Sequence, residues 1–192
     1  MRFEISTIPT PLGNLVFAVN DETLYALGFE QPDLLERLAK RVDHPSFVER
    51  KSERGKVARA IAAYVEGEID ALDALAVEPG GTPFQRKVWG ALRAIPPGTT
   101  ASYQSIAIAV GSPGAVRAVG TANGANPIAV VIPCHRVIRS DHTLGGYAGG
   151  LERKRWLLAH ERNDVSAATG TRSKPDRRTA PSLPHKGQAS LL

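Results

Sequence analysis

The amino-acid sequence predicts an α+β fold: a small N-terminal domain with an antiparallel sheet and helices, a mainly helical C-terminal domain with a helix-turn-helix, and a disordered basic tail. Short apolar runs between turn residues near the N-terminus are typical of strands. Apolar residues at helical spacing recur after residue 82. The last part of the chain is rich in Ser, Thr, Pro, Lys and Arg and has little to bury.

The N-terminal domain is expected to span residues 1–78 and to contain three antiparallel strands followed by two helices. The strands are predicted where apolar residues alternate or cluster between turn signals, at 2–8, 14–19 and 22–29. The helices are predicted where apolar residues recur on one face, at 33–41 and 52–64. No residue pattern in this domain indicates chemistry.

The C-terminal domain is expected to span residues 79–162. It begins at Pro79-Gly80-Gly81, a break that suits neither a helix nor a strand. Thr82 fits the N-cap of the next helix and Pro83 fits its first turn. This helix is predicted to run to Ala94, before a Pro-Pro-Gly stop.

Two further short helices predict the helix-turn-helix. Ser102 can cap a helix over 103–110, and Gly111 ends it. A second helix is expected from Ser112-Pro113 to about Asn123, and a glycine-containing turn between two short helices is the signal for this motif. The second helix is built almost entirely of small side chains, which allow close approach to another surface. Close packing against a neighbouring helix is the alternative interpretation.

A glycine-rich segment and a last helix complete the domain. Residues 144–150 are too rich in glycine for a helix or a strand, so they form either a flexible surface loop or a place where backbone contacts a ligand. A helix over 151–161 should bury Leu151, Leu157 or Leu158, and part of Trp156. Residues 163–192 are predicted to be the disordered basic tail.

Charge is segregated along the chain. Residues 1–80 contain 9 Lys and Arg against 14 Asp and Glu, whereas residues 81–161 contain 9 against 3 and residues 162–192 contain 6 against 2. This asymmetry favours a polyanionic partner, with nucleic acid first among the candidates. A charge bias without any partner is the alternative.

Cys134 is the single cysteine among the 192 residues. A lone cysteine excludes an intramolecular disulfide and a cysteine-rich zinc site. His135 and Arg136 follow it, and basic neighbours favour the thiolate, which is the nucleophilic form. The alternative is a small buried apolar residue, as many free cysteines are.

The sequence does not predict a membrane-spanning or a secreted protein. No apolar run approaches the ~20 residues that span a bilayer, and the first residues lack the apolar block of a signal peptide. We therefore expect a reducing cytoplasm, where a free thiol survives. His44 stands alone among metal-ligating residues in its region, so we expect no zinc there, and we expect no cofactor.

Further motifs surround Cys134 in a fixed order and spacing. They are Gly81-Thr82-x-Phe84-Gln85-x-x-Val88-Trp89, Ile95-Pro96-x-Gly98, Ser102-Tyr103, Arg117-Ala118-Val119-Gly120, Asn126-Pro127-Ile128, Pro133-Cys134-His135-Arg136-Val137, Gly145-x-Tyr147-x-Gly149-Gly150 and Lys154-x-x-Leu157-Leu158-x-x-Glu161. Over about residues 81–161, this set resembles the O6-alkylguanine-DNA alkyltransferases, also called methylated-DNA–protein-cysteine methyltransferases. The N-terminal region is compatible with the variable, ribonuclease-H-like domain of that family.

The resemblance implies direct-reversal DNA repair. An alkyl group would move from O6 of guanine, with O4-alkylthymine as a further candidate substrate, to Cys134 in one irreversible turnover. His135 would deprotonate the thiol through a water, and Glu161 would orient His135. Tyr103 would help to rotate the nucleotide out of the duplex and would donate a hydrogen bond to the leaving guanine. Asn126 would brace the turn that leads to the active site.

The resemblance also implies double-stranded DNA as the partner, bound by a monomer through the helix-turn-helix in the minor groove. Arg117 would enter the base stack and fill the space of the extruded nucleotide. The other residues expected at the DNA are Ser102, Tyr103, Ala118 and Gly120. The residues expected at the substrate pocket are Trp89, Val137, Tyr147, Ala148 and Lys154.

Each of these residues could instead have an ordinary structural or surface role. Tyr103 could be an ordinary residue of a first helical turn, Arg117 a solvated charge and Asn126 a turn residue. Glu161 could be a surface carboxylate, and Lys154 could belong to a solvated basic face. Two other functions therefore stay open: a protein that binds alkylated DNA without repairing it, and a hydrolase with a Cys-His pair.

The chain departs from the family pattern after the Cys-His-Arg-Val core. Arg139 and His142 stand in a stretch where the family commonly has glycines. The turn over 140–143 is therefore expected to give the pocket rim a different shape.

Overall fold

The computed structural model describes residues 1–30, 33–50 and 55–162. Its N-terminal part contains a four-stranded sheet with the strand order β3-β2-β1-β4. The strands are β1 (Arg2–Ile8), β2 (Leu15–Asn20), β3 (Thr23–Phe29) and β4 (Ser46–Glu49). The three strands expected from the sequence are present and pair in antiparallel fashion, β1 with β2 and β2 with β3.

The fourth strand was not expected from the sequence. β4 lies at the edge of the sheet and pairs in parallel with β1. Of its four residues, only Val48 is partly buried, and Phe47 and the others are exposed. Such a short strand lacks the apolar alternation on which strand prediction depends.

Helices cover both faces of the sheet. Helix α1 (Leu34–Ala39) packs on one face over Phe3 and Ala26. Helix α2 (Lys56–Glu66) belongs to the large core on the other face, which contains residues from both predicted domains. The predicted boundary between residues 78 and 79 therefore lies within a shared apolar core, and the division into two domains stays a prediction.

The helices of the C-terminal part follow the caps expected from the sequence. Helix α3 (Pro83–Arg93) begins with a capping box in which the Thr82 hydroxyl accepts from the Gln85 backbone N–H. Ser102 caps helix α4 (Tyr103–Ala109) in the same way. Helix α5 (Val116–Gly124) begins later than predicted, because residues 112–115 form a turn closed by the Ala115 N–H donating to the Ser112 carbonyl at 2.8 Å.

Between α5 and the last helix, the chain forms a compact turn that ends at Cys134. Ile128 makes a single bridge to Leu27 of β3, and Val130 adopts a left-handed φ of 69°. Cys134–Arg136 form one 3₁₀ turn. Strand β5 (Ala101–Ser102) then pairs in parallel with β6 (Val137–Ile138), which ties this turn to the start of α4.

Helix α6 (Leu151–Glu161) has the predicted bounds and follows a glycine-rich loop, also as predicted. Leu157 and Leu158 are buried, but Leu151 is 42% exposed, so its predicted burial is wrong. Leu151 follows Gly149-Gly150, and glycines offer no side chain to cover it. No helix in the described residues is long and apolar enough to cross a membrane. The predicted tail over 163–192 lies outside the described residues.

Candidate active site around Cys134

Cys134 lies at the wall of a small cavity. The cavity has a volume of about 30 Å³, and its lining includes Cys134, Asn126, Tyr147 and Ala148. The thiol is buried, and this burial raises its pKa, whereas a hydrogen bond from Asn126 and the charge of Lys154 act in the opposite direction. The thiol therefore needs a base nearby before it can act as a nucleophile at neutral pH.

His135 is the candidate for that base. Its Nε2 lies 2.8 Å from Oε1 of Glu161, and both side chains are fully buried. Because the carboxylate can only accept, Nε2 donates and Nδ1 keeps a lone pair. Burial lowers the pKa of His135, which favours the neutral ring. Within the described part of the chain, Nδ1 has no hydrogen-bond partner, so its lone pair is available to a proton donor.

Glu161 is held by donors from four of the described residues. Its carboxylate accepts hydrogen bonds from the Tyr64 hydroxyl, the Gly98 N–H, the His135 ring, and Nε and Nη2 of Arg136. Burial alone would raise the pKa of Glu161, but the hydrogen bonds and charges of His135 and Arg136 outweigh it and hold that pKa well below its ordinary value. Glu161 is thus a buried carboxylate that stays ionised.

Arg136 does not act on the thiol as the sequence suggested. Its guanidinium forms a fork on Glu161, at 2.9 Å through Nε and 2.8 Å through Nη2, and Nη1 donates to the Ile95 carbonyl at 2.6 Å. These three bonds aim the guanidinium at Glu161 and Ile95. Arg136 therefore supports the base through Glu161.

Two asparagines fix the backbone around Cys134. Asn126 donates from Nδ2 to the Ile132 carbonyl at 2.8 Å and accepts at Oδ1 from the Ile128 N–H at 3.0 Å, so it links two parts of the turn that leads to Cys134. Asn123, on α5, donates to the Cys134 carbonyl at 3.5 Å. Its Oδ1 is buried and has no partner among residues the structure describes. No sequence pattern singles out Asn123, because it occupies an ordinary inward position of a helix.

The two tyrosines expected at the site occupy different positions. Tyr147 lines the cavity, and its hydroxyl is buried without a partner in the described ranges. Its ring meets His135 edge-on, with centroids 6.5 Å apart. Tyr103 is half-buried and does not line this cavity; its ring lies against the backbone of Gly145, where an added Cβ would be 3.2 Å away. Both tyrosines contact or belong to the glycine-rich loop.

Lys154 organises that loop. Its ammonium is buried and donates to the carbonyls of Val137 at 2.7 Å, Gly146 at 3.3 Å and Leu144. Burial lowers the pKa of Lys154 to about 8. Neither Lys154 nor Val137 lines the cavity, and the two are joined by the hydrogen bond from the ammonium to the Val137 carbonyl.

Trp89 does not match its predicted place in the pocket. It is buried in the core, and its indole N–H donates to the Ala122 carbonyl of α5 at 2.8 Å. An added Cβ at Gly81 would lie 2.6 Å from the ring, so the indole also packs against the linker. The large apolar ring fixes α5 on α3, away from the cavity of Cys134.

Helix α5 connects the cavity to the protein surface. Arg117 and Ala118 are exposed on its outer face, and Gly120 is half-buried beside them. Asn123 of the same helix lines the cavity. Ser102, also expected at the DNA, lies at the start of α4, where its hydroxyl is engaged in the helix cap.

The N-terminal part contributes more to the site than its sequence indicated. Leu27, Gly28 and Phe29 at the end of β3 line the cavity with Cys134, and Tyr64 of α2 reaches Glu161. These residues occupy apolar core positions, for which sequence patterns predict burial and nothing else. Across 1–30, 33–50 and 55–162, no group of three His, Cys, Asp or Glu is placed to hold a metal ion.

Comparison with known proteins shows which family the chain resembles in sequence. Residues 83–163 match the family model described as the DNA-binding domain of 6-O-methylguanine DNA methyltransferase. A methylated-DNA–protein-cysteine methyltransferase of Salmonella typhimurium is 50% identical over 166 residues, which cover 84% of this chain and 96% of that protein.

Solved structures show the same fold. A crystal structure of Mycobacterium tuberculosis O6-methylguanine methyltransferase has a TM-score of 0.70 at 37% identity and covers 84% of this chain and 94% of its own. A crystal structure of Mycobacterium tuberculosis OGT in complex with DNA has a TM-score of 0.71 at 36% identity and covers 85% and 98%. From its sequence and its fold, this chain belongs to the family of methylated-DNA–protein-cysteine methyltransferases.

Proposed function

We propose that this protein transfers an alkyl group from O6 of guanine in double-stranded DNA to Sγ of Cys134, once per molecule. The observation that carries the proposal is the arrangement of a lone buried thiol, a neutral histidine with an unpartnered Nδ1, and an ionised carboxylate behind that histidine. This is the order of nucleophile, base and orienting group that activates a weak nucleophile. Membership of the family supplies the substrate class.

The reaction balances without a cofactor. His135 takes the Sγ proton at Nδ1, through a water, and the thiolate attacks the alkyl carbon. The S–C bond forms as the C–O6 bond breaks, and the electron pair leaves with the guanine, which then takes up a proton. Tyr103 donates a hydrogen bond to that leaving group. The product is a thioether, which has no easy leaving path, so the protein acts once.

The target atom lies inside the duplex, so the nucleotide must first be extruded. We assign this step to the face of α5 that carries Arg117 and Ala118, with the small Gly120 allowing close approach to the minor groove. Arg117 fills the vacated space in the stack, and Ser102 and Tyr103 contact the DNA from the start of α4. The protein acts as a monomer in the cytoplasm, where its thiol stays reduced.

The direct test is the mass of the intact protein before and after mixing with excess duplex DNA that contains O6-methylguanine. We expect a gain of one methyl group and no further gain, located on Cys134 by peptide mapping. Tight binding to the lesion with no gain in mass would favour a protein that only recognises alkylated DNA. Many turnovers on an ester substrate would favour a hydrolase.

Arg117→Ala separates extrusion from chemistry. Extruding a base costs a few kcal/mol, and only a duplex substrate requires it. We therefore expect the variant to lose about tenfold or more in transfer rate with duplex DNA, relative to its loss with free O6-methylguanine. The matched control is Arg155→Ala, which removes an exposed arginine from α6. Equal losses on both substrates would contradict the assignment of Arg117 to the vacated stack.

A further inference from the structure

We propose that Tyr64, from the N-terminal part of the chain, is a positioning residue that sets the orientation and basicity of His135 through Glu161. This inference rests on the proposed alkyl transfer to Cys134 and assigns it a participant outside the region that resembles the family motifs. Tyr64 does not line the cavity at Cys134, so its action on the reaction is indirect.

The contact joins distant parts of the sequence. The Tyr64 hydroxyl donates to Oε1 of Glu161 at 3.0 Å, across 97 residues. The same oxygen is 2.8 Å from Nε2 of His135 and 2.8 Å from Nη2 of Arg136. Three donors thus share one carboxylate oxygen, and a change in any one of them alters the bonds of the other two.

Tyr64 is itself held in place by α6. Nε2 of His160 donates to the Tyr64 carbonyl at 2.7 Å, and the two rings meet edge-on with centroids 5.2 Å apart. Trp156 stacks on the ring of His160, with the ring centroids 4.5 Å apart. His160 directly precedes Glu161, so the same turn of α6 holds the Tyr64 backbone and accepts its hydroxyl. This double attachment leaves the hydroxyl little freedom to leave Oε1.

The phenol contributes a neutral donor to a charged cluster. Burial, with the charge of Glu161, raises the pKa of Tyr64 far above its ordinary value, so the hydroxyl keeps its proton at every working pH. His135 is also faced by Arg136 and Lys154, which lower its pKa, and by Glu161, which raises it. By donating to Oε1, the Tyr64 hydroxyl draws electron density from that oxygen. The hydrogen bond that Oε1 accepts from Nε2–H of His135 is weaker as a result.

Removal of the Tyr64 hydroxyl should therefore raise the pKa of His135. Oε1 bonds more strongly to the ring of His135, the imidazolium becomes more stable, and the pKa of His135 rises. A base that is protonated at higher pH is unavailable over a wider acid range. Loss of the bond also removes one of the five hydrogen bonds, all from described residues, that hold the Glu161 carboxylate in place.

The experiment is the single-turnover rate of methyl transfer, at saturating O6-methylguanine duplex, across a range of pH. For Tyr64→Phe we expect the acidic limb of the rate profile to move to higher pH by about half a unit or more, so that the rate at a fixed pH on that limb falls by about threefold. Tyr25→Phe is the matched control, because Tyr25 is a partly buried tyrosine of β3 outside the Glu161 cluster. Its profile should coincide with that of the wild type.

A second variant tests the proposed role of the Tyr64 hydroxyl if Tyr64→Phe folds poorly. Site-specific incorporation of 3-fluorotyrosine at position 64 retains the hydroxyl and makes it a stronger donor, so the acidic limb should move to lower pH. A lowered melting temperature with an unchanged pH profile in Tyr64→Phe, or an unmoved limb in the fluorinated protein, would overturn the proposal. Absence of transfer by the wild type at every pH would instead contradict the proposed function.

Discussion

Replacing Cys134 with alanine abolishes methyl transfer from O6-methylguanine DNA, a loss that we expect to exceed about a thousandfold. No other cysteine exists in the chain to accept the methyl group. The substitution removes one sulfur atom from the wall of a cavity of about 30 Å³ and leaves the His135–Glu161 pair untouched. The fold and the affinity for the lesion should therefore survive.

Two measurements check this result. Mass spectrometry after incubation with the methylated duplex should show no adduct, and fluorescence anisotropy should show lesion binding close to that of the wild type. Cys134→Ser is the companion variant, because it keeps the size of the group but offers a much weaker nucleophile, and it should also stay unmodified. A methyl adduct on another residue of either variant would remove Cys134 from its assigned role.

Glu161→Gln is expected to cost about 3–5 kcal/mol of folding free energy at pH 7. The substitution keeps the shape of the side chain but leaves the buried Arg136 without its counter-charge. It also places an amide group where several donors converge. Urea denaturation measures the loss, and Glu152→Gln, an exposed change in the first turn of the same helix, is the matched control.

The same variant tests the pH dependence of stability. The pKa of Glu161 is depressed in the folded protein, so its contribution is fully present above the unfolded value, about 4.3. This contribution is lost as the pH falls from there towards the folded pKa. The stability gap between the wild type and Glu161→Gln should therefore be constant from pH 6 to 7 and should shrink below about pH 4.3. A gap that stays constant down to pH 3 would show that Glu161 is not the stabilising charge.

Local signals in the sequence were sufficient for most of the elements. Thr82 and Ser102 were recognised as caps because a capping residue acts on the next three residues, and both caps occur in the structure. The Cys-His-Arg sequence and Asn126 lie within a short stretch, so their proximity required no knowledge of the fold. The position of Glu161 behind His135 was expected only from the family resemblance.

Contacts between distant segments could not be predicted in this way. Tyr64 appears in the sequence as the apolar face of a helix, and nothing local shows that its hydroxyl meets Glu161. The family resemblance implied Trp89 at the pocket, but its large indole is buried in the core between α3 and α5. The short edge strand β4 forms because β1 is beside it, a fact absent from its own four residues.

The burial of the Cys134 thiol has a consequence for the lifetime of the protein. Because burial raises its pKa, the sulfur is held in the protonated form, and a protonated, enclosed thiol reacts slowly with oxidants and stray electrophiles. A catalyst can tolerate an occasional damaged copy, since the remaining copies turn over again. A protein that is consumed by its own reaction has no such reserve. The time for which the thiol stays unreacted in the cell therefore determines how many lesions a given number of molecules can remove.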